Sequence, residues 1–151
     1  MTREELGQYI MPQWNGAFAE EGGEFLNLVV PRANFREKML GLKKDNALLF
    51  DSLYCLTCVD YKTHFTMVYH LLSTQFRHSL VIKSTLEDRL NPTIDSVESI
   101  WKTAEFHERE VFDLFGVTFN GHPDLRRLLL EEDWDGFPLR KDYTDKNMVS
   151  L

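Results

Sequence analysis

Two cysteines three positions apart have a spacing that could support chemistry. Cys55 and Cys58 match the C-x-x-C pattern of a redox pair or of half a zinc site. They fall in a stretch rich in Leu, Val, Thr and Tyr that predicts a strand, where residues three apart point to opposite faces. No further cysteine exists to complete a tetrahedral site. We favour two small apolar residues packed in a core, with a free-standing redox or metal-binding protein as the alternative.

Other residues with catalytic potential lack the spacing that catalysis requires. Glu108 and Glu110 are two apart on a predicted helix, so they lie on different faces and cannot act together as acid and base. The histidines follow no HExxH pattern, and Gly116 and Gly121 lack the spacing of a dinucleotide-binding loop. We therefore expect no active site, metal ion or cofactor on this chain.

Composition predicts one globular domain. A chain of 151 residues can bury about two-thirds of its unfolded surface. The net charge is −7 and no run of Lys or Arg exceeds two residues, so the chain lacks the positive surface that binds nucleic acid. Two cysteines suit a reducing compartment, and no apolar window approaches the ~20 residues of a membrane span. We expect neither a nucleic-acid partner nor a direct membrane span.

The pattern of apolar residues predicts a two-layer α+β domain over residues 1–120. The expected order is α-β-β-α-β-β-β-α, with a mixed or antiparallel sheet. Thr2 as N-cap, Glu5 three residues later and Pro12 predict a first helix over 2–11. The other expected elements are a clear strand at 25–30 preceded by a shorter one, a helix at 32–43, strands at 48–60, 64–73 and 77–85, and a helix at 94–115 ended by Gly116.

The apolar stripe of this last helix contains a carboxylate. Its residues recur every three or four positions: Ile94, Val97, Trp101, Ala104, Glu108, Val111 and Phe115. A buried Glu108 would need a partner, either an arginine or a polar site on another protein, because desolvating a carboxylate is costly. The alternative is that the stripe turns outward and leaves Glu108 solvated. Arg109 lies four residues from both Glu105 and Asp113, a spacing typical of solvated ion pairs on a helix surface.

Charged and aromatic side chains are most concentrated between residues 107 and 143. Arginines alternating with carboxylates and aromatic residues can supply the buried anchors and polar rim of a permanent interface. We expect residues 121–151 to form an extended C-terminal docking segment, with Trp134 and Phe137 as an aromatic anchor or as a lid over the last helix. The candidate interface residues are Glu108, Arg109, Glu110, Asp113, His122, Asp124, Arg126, Arg127, Trp134, Phe137, Arg140, Lys141 and Asp142.

The arginines of this segment are candidates for bidentate ion pairs. Arg126, Arg127 and Arg140 could pair with Glu108 and Glu110 in the same chain or with carboxylates of a neighbour. Two adjacent arginines are hard for one small domain to pair with its own acids. We therefore expect alanine at position 126 or 127 to weaken assembly more than folding.

The motifs of this region resemble a known signature. They are Glu-Arg-Glu at 108–110, Asp113, Gly116, Phe119, Gly-His-Pro-Asp-Leu-Arg-Arg at 121–127 and Pro-Leu-Arg-Lys-Asp at 138–142. Together they are similar to the 30-kilodalton subunit of respiratory complex I, the C-type subunit of bacterial NADH:quinone oxidoreductase. The resemblance is dense over residues 91–143 and weaker before them. Lys102, Glu105-Phe106 and Phe112 depart from the family, which more often has a proline, an Asn-Trp pair and a tyrosine or tryptophan there.

The resemblance implies a non-catalytic structural and assembly subunit in the peripheral arm of a proton-translocating NADH:quinone oxidoreductase. It implies that FMN, iron–sulfur clusters and quinone are bound by other subunits. The implied partners are a hydrogenase-like large subunit of the 49-kilodalton type, an iron–sulfur small subunit of the 20-kilodalton type and other peripheral-arm subunits. The implied location is the cytoplasmic side of a bacterial cell membrane. The alternative within the family is the homologous subunit of a membrane-bound hydrogenase or of a quinone oxidoreductase with another donor.

Overall fold

Alternating apolar residues on hairpin-connected strands form the centre of the molecule, which the computed structural model describes over residues 1–143. The fold is α+β, as predicted. Its elements in chain order are α1 (Arg3–Ile10), β1 (Phe18–Glu20), β2 (Leu26–Val29), α2 (Phe35–Lys44), β3 (Ser52–Asp60), β4 (Phe65–Leu72), β5 (Ser79–Leu86), β6 (Thr93–Asp95), α3 (Ala104–Phe115) and β7 (Thr118–Asn120).

The main sheet has five strands in the order β1-β2-β5-β4-β3. The pairs β1–β2, β3–β4 and β4–β5 are antiparallel, whereas β2 and β5 are parallel, so the sheet is mixed. Period-two alternation turns Leu56, Tyr69 and Ile82 inward and leaves Thr57 exposed on the other side. The helices cover the inner face, where the Phe35 and Tyr69 rings lie 5.1 Å apart.

The predicted helix over 94–115 is wrong in its first half. Residues Thr93–Asp95 form β6, which pairs in parallel with β7, and Ile94 lies opposite Phe119. A turn follows, in which the Trp101 backbone N–H donates to Val97 O at 3.0 Å, and α3 begins only at Ala104. The apolar stripe is nevertheless buried, except at Phe115, which is half-buried. Its three-and-four spacing therefore marked core positions correctly, but it could not reveal a strand whose partner follows the helix.

The predicted N-cap of the first helix and the predicted end of the last helix are confirmed. The Thr2 hydroxyl accepts the Glu5 backbone N–H at 3.2 Å and so caps α1. Gly116 ends α3 in the left-handed conformation, with φ of 80°. A Cβ at this glycine would lie 2.7 Å from the Phe137 ring, so Gly116 also permits the C-terminal segment to approach the end of the helix closely.

Glu108 joins α3 to the turn after β6. Its carboxylate is fully buried and accepts the Ser96 hydroxyl at 2.6 Å and the Val97 backbone N–H at 2.9 Å. The expectation that a buried Glu108 would meet an arginine or another protein is wrong, because this local turn supplies both donors. Burial raises the pKa of Glu108 to about 7, although the two hydrogen bonds lower it.

We predict that Glu108 makes the folded protein less stable as the pH rises. Its folded pKa exceeds the ordinary value of 4.5, so between about pH 4.5 and 7 the folded state binds a proton more tightly than the unfolded chain. The free energy of unfolding therefore falls across this window. Glu108→Gln retains an acceptor for Val97 and can bond Ser96, but it cannot ionise.

The measurement is urea unfolding of both proteins at several values between about pH 5 and 8. The wild type should lose about 2 to 3 kcal/mol of stability relative to Glu108→Gln over this range. Parallel stability curves would contradict the prediction.

Candidate partner-docking surface

The C-terminal segment, residues 121–143, lies against α3 and the adjoining end of the sheet. It contains neither helix nor strand, and side-chain hydrogen bonds hold it in place. Residues 121–143 therefore pack against the domain and do not extend away from it, in contrast to the extended segment that the sequence predicted. The last eight residues of the predicted docking segment, 144–151, lie outside the described residues.

Asp113 is the main attachment point of this segment. Its buried Oδ2 accepts three successive backbone N–H groups, those of Leu128 at 3.2 Å, Leu129 at 2.7 Å and Leu130 at 3.0 Å. Arg127 Nη1 donates to Oδ1 at 3.0 Å. Burial favours the neutral acid, but the backbone donors and Arg127 outweigh it and hold the pKa of Asp113 below its usual range. The carboxylate therefore stays ionised and fixes the chain that follows.

Arg127 closes the loop that Asp113 holds. Its Nη2 donates to the carbonyl oxygens of Trp134 at 3.1 Å and Gly136 at 3.0 Å, and Nη1 also donates to the Asp113 carbonyl at 3.0 Å. Its Cζ lies 5.1 Å from the centre of the Phe137 ring, a cation–π contact. The predicted pairing of Arg127 with Glu108 or Glu110 is thus wrong, because the carboxylate that binds Arg127 is that of Asp113.

Arg140 fastens the segment to the C-terminal end of α3. Its Nε donates to the Phe115 carbonyl at 2.6 Å, which satisfies a free carbonyl of the last helical turn. The guanidinium lies between two aromatic rings, 5.1 Å from the centres of both Phe65 and Phe137. Arg140 therefore contacts backbone and aromatic faces and not Glu108 or Glu110, while its pairing with a carboxylate of a neighbour stays a prediction.

Asp60, at the end of β3, is a third attachment point that sequence reasoning missed. Both its oxygens contact the Arg89 guanidinium, and Oδ2 also accepts the Lys141 backbone N–H at 2.8 Å. The bond to Arg89 is the main reason that the pKa of Asp60 is held well below its usual range. Arg89 also contacts Asp142 at 3.4 Å. The sequence shows an aspartate at the end of a predicted strand, which by itself does not indicate this site.

Arg109 is buried beneath the segment. Its Nε and Nη2 donate to the carbonyl oxygens of Arg126 and Arg127, both at 3.2 Å. The predicted solvated pairs of Arg109 with Glu105 and Asp113 are therefore wrong. The carbonyl oxygens of the segment satisfy the Arg109 guanidinium, and the Asp113 carboxylate pairs with Arg127 instead.

His122 shapes the turn at the start of the segment, as expected for a residue before proline. Its Nδ1 accepts the Asp124 backbone N–H at 3.0 Å, which leaves Nε2 to donate to the Glu105 carbonyl at 3.1 Å. The Arg126 side chain pairs with Asp124 at 3.0 Å, and both remain exposed.

The predicted interface residues thus fall into two sets. Those that are buried or half-buried are Glu108, which binds the turn after β6, and six residues that hold the segment in place: Arg109, Asp113, His122, Arg127, Phe137 and Arg140. The other predicted residues remain exposed, and leucines that sequence reasoning missed are exposed as well. We call these exposed residues the docking surface: Glu110, Asp124, Arg126, Leu128, Leu129, Trp134, Leu139, Lys141 and Asp142.

The C-x-x-C pair is not arranged for thiol chemistry. Cys58 is buried in β3, and burial raises the pKa of its thiol to about 12, which disfavours the reactive thiolate. Cys55 is half-buried. Within residues 1–143, no three His, Cys, Asp or Glu side chains are grouped as a metal site would require. None of the helices in this part of the chain has the length and apolar character to cross a membrane.

Comparison with known proteins identifies related chains. The family described as "Respiratory-chain NADH dehydrogenase, 30 Kd subunit" matches residues 28–148. The C-type subunit of NADH-quinone oxidoreductase from Burkholderia mallei is 38% identical over 144 residues, which cover 89% of this chain and 72% of that protein. The corresponding protein of Chloroherpeton thalassium is 46% identical over 105 residues, 68% of this chain and 43% of that protein.

Other relatives are longer or belong to a different complex. A protein of Phocaeicola vulgatus, named as the C/D subunit of NADH-quinone oxidoreductase, is 44% identical over 117 residues, which are 77% of this chain but only 22% of that protein. A chain from the structure of the membrane-bound sulfane sulfur reductase, an archaeal respiratory membrane complex, aligns with a TM-score of 0.78 and 27% identity, covering 93% of this chain and 85% of that one. The fold is thus shared with a chain of an archaeal respiratory membrane complex, and the chain belongs to the family of the 30-kilodalton subunit of respiratory-chain NADH dehydrogenase.

Proposed function

We propose that this chain is a non-catalytic structural and assembly subunit in the peripheral arm of a proton-translocating NADH:quinone oxidoreductase. The observation that carries the proposal is the docking surface, whose exposed leucines and tryptophan are fixed on the domain by the buried Asp113–Arg127 pair. Interface energy usually concentrates in a few such apolar and aromatic anchors. A segment already ordered before binding also loses less conformational entropy when a partner docks.

The proposed neighbours are the hydrogenase-like large subunit and the iron–sulfur small subunit. The C/D name of the Phocaeicola vulgatus relative supports a close neighbour of this kind, because it joins the C-type subunit to a second one in a single protein. FMN, the iron–sulfur clusters and quinone would then reside on other subunits, and the chain would sit on the cytoplasmic side of a bacterial membrane. Its contribution would be to position its neighbours.

A second candidate is the homologous subunit of a complex that uses another electron donor. The structural similarity to a chain of the sulfane sulfur reductase complex favours this alternative. Other subunits would determine which electron donor is used, so both candidates use the same docking surface.

The test is a mild-detergent purification of tagged chain from its host's membranes, with mass spectrometry of the retained proteins and an assay of NADH oxidation. Recovery of both neighbours with NADH oxidation supports the proposal. Recovery of both without that activity or a flavin-binding partner supports the second candidate. Recovery of neither contradicts both.

We predict that Asp113→Asn loosens the C-terminal segment. The amide has one acceptor oxygen, so its NH2 group must face either the backbone N–H donors or Arg127, and the hydrogen bonds that remain lose the negative charge that strengthened them. The free energy of unfolding should fall by about 1 to 3 kcal/mol, and limited proteolysis between residues 127 and 136 should accelerate. Asp124→Asn, at an exposed carboxylate, is the matched control. Equal proteolysis rates in Asp113→Asn and the control would contradict this role of Asp113.

We also predict that the two adjacent arginines have different roles. Arg127→Ala should lower the free energy of unfolding by about 1.5 to 3 kcal/mol, because it removes bonds to Asp113, Trp134 and Gly136. Arg126→Ala should change it by less than about 0.5 kcal/mol but reduce the yield of assembled complex. Urea unfolding and native-gel assembly assays separate the two effects. Equal stability losses in both variants, or normal assembly of Arg126→Ala, would contradict the assignment.

A further inference from the structure

One loop of the docking surface combines exposed apolar side chains with a concentration of negative charge. We call residues 128–135 the acidic loop. In the folded chain, Leu129 is 64% exposed, Trp134 39% and Leu128 36%. Exposed apolar side chains this close together in sequence favour burial against another protein.

The acidic loop has no positive charge of its own. It carries Glu131, Glu132, Asp133 and Asp135, all exposed, and no Lys or Arg. Within residues 1–143, none of these four carboxylates lies within 4.0 Å of a cationic nitrogen. The adjacent arginines do not compensate, because Arg126 pairs with Asp124 and Arg127 is turned inward to Asp113.

The conformation of the loop keeps these charges outward. Asp113 holds its first residues through backbone N–H groups, Arg127 binds the carbonyls of Trp134 and Gly136, and the Trp134 N–H donates to the Glu131 carbonyl at 3.0 Å. These backbone hydrogen bonds are all made within the chain. Among the described residues, 1–143, the carboxylates and the apolar side chains of the loop remain exposed.

We propose that the partner surface that receives the acidic loop is an apolar cleft bordered by Lys and Arg side chains. This inference rests on the proposed function and specifies the chemistry of its partner. Leucine and tryptophan would supply contact area, while the carboxylates would steer association and select the cationic partner. A second copy of this chain does not fit, since its own loop is negative and the whole chain carries a net charge of −7.

The experiment uses the full chain and, as probe, the complete peripheral arm from which this chain has been dissociated after purification. The test variant is Glu131→Gln, Glu132→Gln, Asp133→Asn and Asp135→Asn combined. The matched control combines Glu4→Gln, Glu21→Gln, Glu24→Gln and Glu87→Gln, exposed residues outside the segment that change the net charge equally. Association rate constants are measured at about 50 and 300 mM NaCl, after thermal unfolding confirms that all three proteins fold.

We expect the test variant to associate about tenfold more slowly than wild type at low salt, with a flatter salt dependence, and the control to stay within about twofold. Equal rates for wild type and test variant, or equal slowing in the control, would overturn the cationic partner while leaving the proposed function intact. Failure of the wild-type chain to bind the arm would overturn the proposed function itself, and this inference with it.

Discussion

The C-terminal segment of this structure depends on a buried carboxylate that accepts three consecutive backbone N–H groups. Asp113, near the end of α3, binds the amides of Leu128, Leu129 and Leu130 and the guanidinium of Arg127. An isolated buried carboxylate is costly, whereas one with this many donors is held ionised. Removing one donor therefore costs more than the bond itself, because it leaves a buried charge less well satisfied. The interaction converts a segment without regular structure into a fixed part of the domain.

Polar attachment explains how the segment can be ordered and still expose apolar side chains. Arg140 binds the end of α3, and Lys141 reaches Asp60 at the end of β3. These bonds use backbone groups and charged side chains, so the segment does not need to bury all its leucines to stay in place. Leu129 and Trp134 remain available for a partner. A segment fixed by hydrophobic burial alone would have hidden these residues.

Sequence reasoning predicted the features determined by local pattern. The α+β class, the hairpin strands, the Thr2 cap and the Gly116 terminus follow from periodicity and capping chemistry, whereas the apolar stripe left open whether Glu108 is buried or solvated. It failed where the partner is distant in sequence. The strand β6 requires β7 beyond the helix. The choice of Asp113 over Glu108 or Glu110 as partner of Arg127 depends on how a loop without regular structure crosses α3, and nothing in the spacing of charges specifies that path.

The most direct test of this account is hydrogen–deuterium exchange of the isolated chain, resolved by NMR at the amides of Leu128, Leu129 and Leu130. If Asp113 fixes the segment before any partner binds, these amides exchange slowly in the free protein and lose their protection in Asp113→Asn, while amides of the central strands are unchanged. Exchange at the rate of an unstructured peptide in the wild-type chain would contradict the account, because the segment would then be ordered only by its partner.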